Sequence, residues 1–327
     1  MSSDALHRRL RTAGPQPRVR RLVLTDADIE VFAAIARHGP LPTPYLYAFT
    51  KALRRDYTHL QNRLTDFYNG DGMGVYLVRP PQQFATYEAR YQHLVYDLAP
   101  RARAVLRAQG LESAAYPHNA GPFVHRLMQA CVSASLELSA RRAGVTFIGR
   151  DEILAHPNCP VGVQASAQPL RIDLGLDGDR ALIPDNLLGI RHPSAGYRFF
   201  ALEADRHTES IERRSIGQSA FGTKIRQYAK LLAQARYRAV WGIPNLHVLI
   251  VTTNAGHASN LQAHVARVVP PASRRAFVFG VDPTFGVRWR VPSEARDDFA
   301  LINWMTGDGE TQLFGPHVVV RLEPAIG

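Results

Sequence analysis

Three carboxylates and one lysine stand where two apolar runs meet a helix. The first run, Ile183-Pro184, ends in Asp185 and resumes through Leu187, Leu188 and Ile190. The segment His192-Pro193-Ser194-Ala195-Gly196 follows, and a second run from Tyr197 to Leu202 ends in Glu203-Ala204-Asp205. Pro and Gly between aromatic-rich apolar runs read as a hairpin with a longer loop. With the loop centred on Ser194, Asp185 faces Glu203, and Asp205, two residues further, shares the face. Opposed side chains lie roughly 4.5–5.5 Å apart, and like charges there repel. Three acids on one face therefore call for a counter-charge. A hard divalent cation is one, since Mg²⁺ takes one or two carboxylates and completes its shell with water and phosphate oxygens. A hairpin slipped by one residue would instead turn the acids to opposite faces.

A helix over 218–235 comes next, with Phe221, Ile225, Tyr228, Leu232 and Ala235 at helical spacing as its buried stripe. Lys224 lies on the edge of that stripe, one turn before Tyr228. Only three of the 39 basic residues are lysines, at 51, 224 and 230. A lysine in such a chain is a choice, because a compact ammonium acts as a point charge on phosphate oxygens and shifts its pKa as Arg cannot. Lys224 is expected to serve the acids, and Lys230 to be solvated.

The pattern resembles the PD-(D/E)XK nuclease superfamily, through Pro184-Asp185 and Glu203-Ala204-Asp205. Asp205 stands where that pattern has lysine; some members carry the lysine on the following helix, where Lys224 lies. More narrowly, IPD…FFALEADRHTES…GTKIRQY resembles the replication-relaxation family of plasmid and mobile-element proteins. The resemblance implies an N-terminal winged helix-turn-helix followed by a nuclease-like αβββαβ domain, an α+β or α/β chain. It also implies Mg²⁺ on Asp185, Glu203 and Asp205, with Lys224 completing the catalytic set. The partners implied are double-stranded DNA and other replication or relaxation-complex proteins, with a homodimer as one arrangement. Three functions stay open: a Mg-dependent endonuclease, a non-catalytic replication or transcription regulator with a degenerate nuclease fold, or a ligand-responsive regulator in which the acid cluster is structural.

A length of 327 residues suits about two domains. A net charge of +11 asks for a polyanion, nucleic acid or an anionic membrane surface. No apolar run of 18 residues and no signal-peptide core are found, which predicts a cytoplasmic protein with no membrane span. Cys131 and Cys159 form no CxxC and build no zinc site.

Residues 1–22 form a basic arm, with Arg8, Arg9 and Arg11 placed to contact DNA. Residues 23–112 read as the winged helix: Thr25 starts the first of three helices, and extended runs at 74–79 and 93–98 follow as the wing. The third helix would present His59, Gln61, Asn62 and Arg63 to base edges, behind Lys51, Arg54 and Arg55 on phosphates. Residues 113–121 read as linker and 122–327 as the nuclease-like domain. Its strands are predicted at 170–174, 181–190 and 197–204, after an irregular 151–168, with later strands at 246–251 and 276–281. Arg206, His207, Arg213 and Arg214 would line the mouth of the site, and Glu137 is a weaker candidate for an additional acid.

Overall fold

The computed structural model describes residues 14–17, 21–85, 92–111, 121–175, 181–194, 196–206 and 220–314. It divides into two units, residues 1–134 with 290–295 and residues 135–289 with 296–327.

In the first unit, α1 (Asp26–His38) begins where the Thr25 N–H donates to Asp28 Oδ2 at 2.9 Å, half of a capping box. Val31, Phe32 and Ile35 form its buried stripe. The chain then runs through β1 (Leu41–Pro42), α2 (Thr43–Thr50) and α3 (Tyr57–Asn69). Next come β2 (Leu77–Val78), β3 (Val95–Leu98) and α4 (Pro100–Ala108). The strands form an antiparallel sheet in the order β1-β3-β2. Phe32 packs edge-on to Phe67 at 5.0 Å and stacks on Tyr76 at 5.7 Å, tying α1 to α3 and the ribbon. Beneath this core lies a charged group: Asp28, fully buried, receives Arg54 Nη2 on Oδ1 and Arg63 Nη2 on Oδ2, each at 2.7 Å. Burial pushes its carboxyl up, but the bonds from Arg63 and Arg54 outweigh this and hold it below the usual range.

The boundary between units falls within α5 (Phe123–Ala143). After it come β4 (Thr146–Ile148), α6 (Arg150–Ala155), α7 (Val161–Gln164), β5 (Asn186–His192) and β6 (Gly196–Asp205). Then follow α8 (Ala220–Ala233), α9 (Arg236–Trp241), β7 (His247–Thr252), α10 (Ala255–Val268) and α11 (Pro271–Arg274). Strands β8 (Phe277–Val281), β9 (Asn303–Thr306) and β10 (Gly309–Gln312) complete the second unit. One seven-stranded sheet holds it together, in the order β10-β9-β8-β7-β6-β5-β4. Strands β6, β7 and β8 run parallel; the outer pairs are antiparallel. The parallel strands are nearly continuous apolar runs, as strands covered on both faces must be. Gly280 on β8 is needed as glycine, because a Cβ there would collide with the Trp304 ring from β9.

The β5–β6 hairpin has the register its loop predicts, from His192 opposite Gly196 to Asn186 opposite Leu202. Two expectations fail. Residues 170–174 form no strand: Ile172 makes a single bridge to Leu182, and β4 takes the outer place beside β5. Much of 151–168, read as irregular, forms α6 and α7; short helices carry too few residues to show a period. The Asp177-Gly178-Asp179 turn lies outside the described residues. Among those residues, no helix is long and apolar enough to cross a membrane.

Candidate active site

After Arg198, strand β6 is apolar from Phe199 to Leu202 and turns acidic at its end. Glu203 and Asp205 point to one face, where their in-register neighbours on β7 are Ile250 and Thr252. Because β6 and β7 are parallel, α8 and α9 must carry the chain back across the sheet between them. The carboxyl ends of such strands are where open α/β sheets gather ligands. Helix α8 lays Lys224 and Tyr228, one turn apart, on this end. Tyr228 donates its hydroxyl to Glu203 Oε1 and Lys224 its ammonium to Oε2, each at 2.6 Å.

The electrostatics follow from burial. Glu203 is 1% exposed. Loss of water pushes its carboxyl up to about 7, and Asp185 adds to this, against the pull of Lys224 and Tyr228. Tyr228 is pushed well above its usual range by burial and by Glu203. For Lys224, burial works against the charge, yet the fields of Glu203, Asp185 and then Asp205 outweigh it and raise the pKa. All three predicted acids thus act on the predicted lysine.

Asp185 extends the hairpin by one step. Its N–H donates to Leu202 O at 3.1 Å, and its Oδ2 accepts from the Ala204 N–H at 2.8 Å. The side chain takes over the sheet's hydrogen bonding where β5 stops. Asp205 Oδ2 accepts from His257 Nε2 at 2.8 Å. His257 occupies the first turn of α10, where its N–H donates to the capping Asn254 Oδ1 at 3.0 Å. The sequence reading missed His257; its local signal was Asn254 as a helix cap, but only the parallel register of β6 and β7 brings it to Asp205. Beside Asp205, the Thr252 hydroxyl is buried and without a partner among the described residues. Leaving such a group unpaired costs about 1–3 kcal/mol.

Arg206 does not project from the mouth. Its Nε donates to Phe285 O at 3.0 Å and its Nη2 to Gly286 O at 3.4 Å, fastening the end of β6 to the segment after β8. His207, Arg213 and Arg214 lie outside the described residues. Glu137 is buried on α5 and takes Arg141 Nη2 at 2.6 Å, an i,i+4 pair within its own helix. Among the described residues, no group of three or more His, Cys, Asp or Glu side chains is gathered to hold a metal ion. The donors are nevertheless hard oxygens, the type Mg²⁺ takes, and an ion here would draw part of its shell from water and phosphate.

In the first unit, Asp56 caps α3 by accepting the His59 N–H at 2.7 Å. His59, Gln61 and Asn62 are exposed along the helix, and Lys51 and Arg55 are exposed ahead of it. Arg54 and Arg63, expected on DNA, are bound to Asp28 instead. Arg54's side chain is 2% exposed and bound to Asp28, so it cannot reach a phosphate. Arg63 is turned inward, onto Asp28, the Val23 carbonyl and the face of Phe67. The cause is Asp28, whose buried charge has to be answered from inside. Arg8, Arg9 and Arg11 lie outside the described residues.

A family model described as Replication-relaxation matches residues 32–246, a span that includes Asp185, Glu203, Asp205 and Lys224. Neither a curated protein nor a solved structure matches the chain.

Proposed function

We propose, since the chain belongs to the replication-relaxation family, that it works on double-stranded DNA in the replication or relaxation of a plasmid or other mobile element. The first unit is then a winged-helix reader. Three helices followed by a β-ribbon support this, with exposed His59, Gln61 and Asn62 on α3 for base edges and Lys51 and Arg55 for phosphates. The net charge of +11 suits that partner. The second unit is a PD-(D/E)XK-like domain: with the short helices α6, α7 and α9 set aside as insertions, α5, β4, β5, β6, α8 and β7 follow the superfamily's order of helix, three strands, helix and strand.

One observation carries the nuclease reading. Lys224, delivered by the helix after β6, lies on Glu203 in the field of Asp185 and Asp205. Asp185, Glu203 and Asp205 would hold Mg²⁺. The ion, when bound, supplies a polarised phosphoryl oxygen and a water of lowered pKa. The chain's own residues do the rest. Asp185, fixed by the Ala204 N–H, holds its carboxylate against β6. Tyr228 keeps Glu203 in place from beneath. Lys224 offers its ammonium to the charge that builds on the phosphate oxygens.

A second reading, a DNA-binding regulator that does not cut, is favoured by a different fact. Each carboxylate already has a donor inside the fold: Asp185 the Ala204 N–H, Glu203 Lys224 and Tyr228, Asp205 His257. Mn²⁺ calorimetry with cleavage of supercoiled DNA separates the two. For the nuclease, wild type binds Mn²⁺ and nicks DNA, while Asp185→Asn, which keeps an acceptor for Ala204, loses cleavage yet still binds DNA. Absence of both Mn²⁺ binding and cleavage in wild type would leave the regulator.

The reader has its own test. Changing Gln61 and Asn62 together to Ala should cost about 1–3 kcal/mol per base contact on the preferred sequence. Non-specific affinity should barely move. Equal losses on cognate and random duplexes in a fluorescence titration would show that α3 does not read bases.

A further inference from the structure

Residues 213–281 contain no Asp or Glu and ten Lys or Arg, in a chain that carries 28 acids over 327 residues. A surface kept only for solubility mixes both signs, so a stretch cleared of acids on this scale has a use for its charge. The stretch builds α8, α9, α10 and α11 together with strands β7 and β8. Helices α8 and α9 join β6 to β7, and α10 and α11 join β7 to β8. The three strands are parallel and follow one another in the sheet. Two right-handed crossovers that advance in one direction lay their helices on one face. Helices α8, α10 and α11 accordingly pack on one another. The positive charge is therefore gathered in one layer.

The fold itself uses part of that charge. Lys224 lies on Glu203, and Lys230 Nζ donates to Leu174 O at 2.9 Å. Arginines supply the outer side: Arg226 of α8, Arg238 of α9 and Arg267 of α10 are exposed. Arg275, just past α11, has 83% of its side chain exposed and reaches Asp308 Oδ2 only at 3.6 Å. Arg226 and Arg267 come from different helices to one place. Burial first, and then the fields of Arg267 and Arg226, hold His264 of α10 below its usual pKa. Arg267 Nη2 donates to His264 Nδ1 at 2.9 Å, and a neutral imidazole leaves the guanidinium charge uncancelled. Like charges gathered on one surface repel one another, a cost that a polyanion relieves. We propose that the α8–α11 layer is a second DNA-binding surface, on which Arg226 and Arg267 grip the phosphate backbone of double-stranded DNA without reading its sequence. The planar guanidinium fork suits this, since it matches phosphate oxygens in pairs. The inference rests on the reading of the chain as a protein of double-stranded DNA, and it holds whether or not the acids of β6 take part in cleavage.

The test is a fluorescence titration of the full chain on a random-sequence duplex across a salt series, with the melting temperature of each protein. Arg226→Gln with Arg267→Gln removes two phosphate contacts. It should lower the slope of log affinity against log salt by about 2, and weaken binding roughly tenfold per contact in about 0.1 M salt. Arg226→Lys with Arg267→Lys keeps both charges and should keep the slope. Arg107→Gln with Arg191→Gln removes the same charge from exposed positions off this layer and should bind like wild type. Should the first glutamine pair melt lower than wild type, Arg238→Gln with Arg275→Gln tests the same layer and should lower the slope in its place. An unchanged slope in these layer variants overturns the inference. An equal fall in the Arg107 and Arg191 variant also overturns it, by making net charge the cause. If only Lys51→Gln with Arg55→Gln lowers the slope, the DNA reading stands and this inference falls. If wild type binds no duplex, both fall, and binding to phosphatidylserine vesicles that is lost in the layer variants would assign the layer to a membrane surface instead.

Discussion

At pH 8, Glu203→Gln should be more stable than wild type by about 3 kcal/mol, and the difference should vanish below about pH 4.5. The expectation comes from burial. The Glu203 carboxyl titrates near 7 in the folded protein and at 4.5 in its ordinary state, so between these values the folded chain binds the extra proton. Wild-type stability therefore falls as pH rises through that window. Glutamine mimics the protonated acid at every pH: its amide oxygen accepts from Lys224, and its NH₂ group donates to the Tyr228 oxygen. Lys224 adds no slope in this window. Its pKa is raised above 10.5, so its contribution is complete below that value and is lost only at higher pH. His247 slopes the opposite way: burial holds it neutral, down to about 3 from 6.5, and stability rises with pH between those values. It does so in both proteins, so it cancels in the difference. Urea unfolding at pH 4, 6 and 8 reads the effect. If the acid is also catalytic, the stabilised variant should be dead in cleavage, the usual cost of a site kept under electrostatic strain. A difference that stays constant across pH would mean that Glu203 ionises as an ordinary carboxyl.

Asp28→Ala should destabilise the first unit by about 3–5 kcal/mol, the typical cost of removing one member of a buried ion pair. The carboxylate answers Arg54, with 2% of its side chain exposed, and Arg63, with 17%. It also accepts the Thr25 N–H that begins α1. Alanine would strand the Arg54 guanidinium in the interior, a larger penalty than the lost bonds themselves. Adding Arg54→Met should therefore recover much of the loss, because the stranded charge goes with it. Chemical unfolding of the three proteins at pH 7 gives the answer. A double mutant no better than the single would mean that the helix start, and not the buried cation, carries the cost.

The same residues show what a sequence can and cannot disclose. The hairpin was legible because its information is local: Pro193 and Gly196 mark the loop, and its centre fixes which residues oppose each other. Lys224 was legible from composition, as one of three lysines in an arginine-rich chain. His257 was not, because it reaches Asp205 across 52 residues and through a parallel pairing that no periodicity reports. Arg54 misled for a related reason. Its place before an exposed helix suggests a phosphate contact, while its partner Asp28 lies 26 residues earlier and is hidden in a helix start that looks solvated. The edge hairpin β9–β10 has short strands without strict alternation, and the 170–174 run is apolar enough for a strand but makes only the single Ile172–Leu182 bridge.

The hydrogen bond from the Ala204 N–H to the Asp185 side chain has a consequence for timing. Through the middle of β6, from Phe200 to Leu202, the strand is flanked on both sides, and one residue further Asp185 continues the job with its carboxylate. Segments held in this way release their amides to solvent only when the whole unit opens. The acids of the cluster are thus set when the sheet forms and keep their places until it unfolds. A ligand would meet an arrangement completed long before its arrival, and any movement that admits it must come from parts of the chain outside these strands.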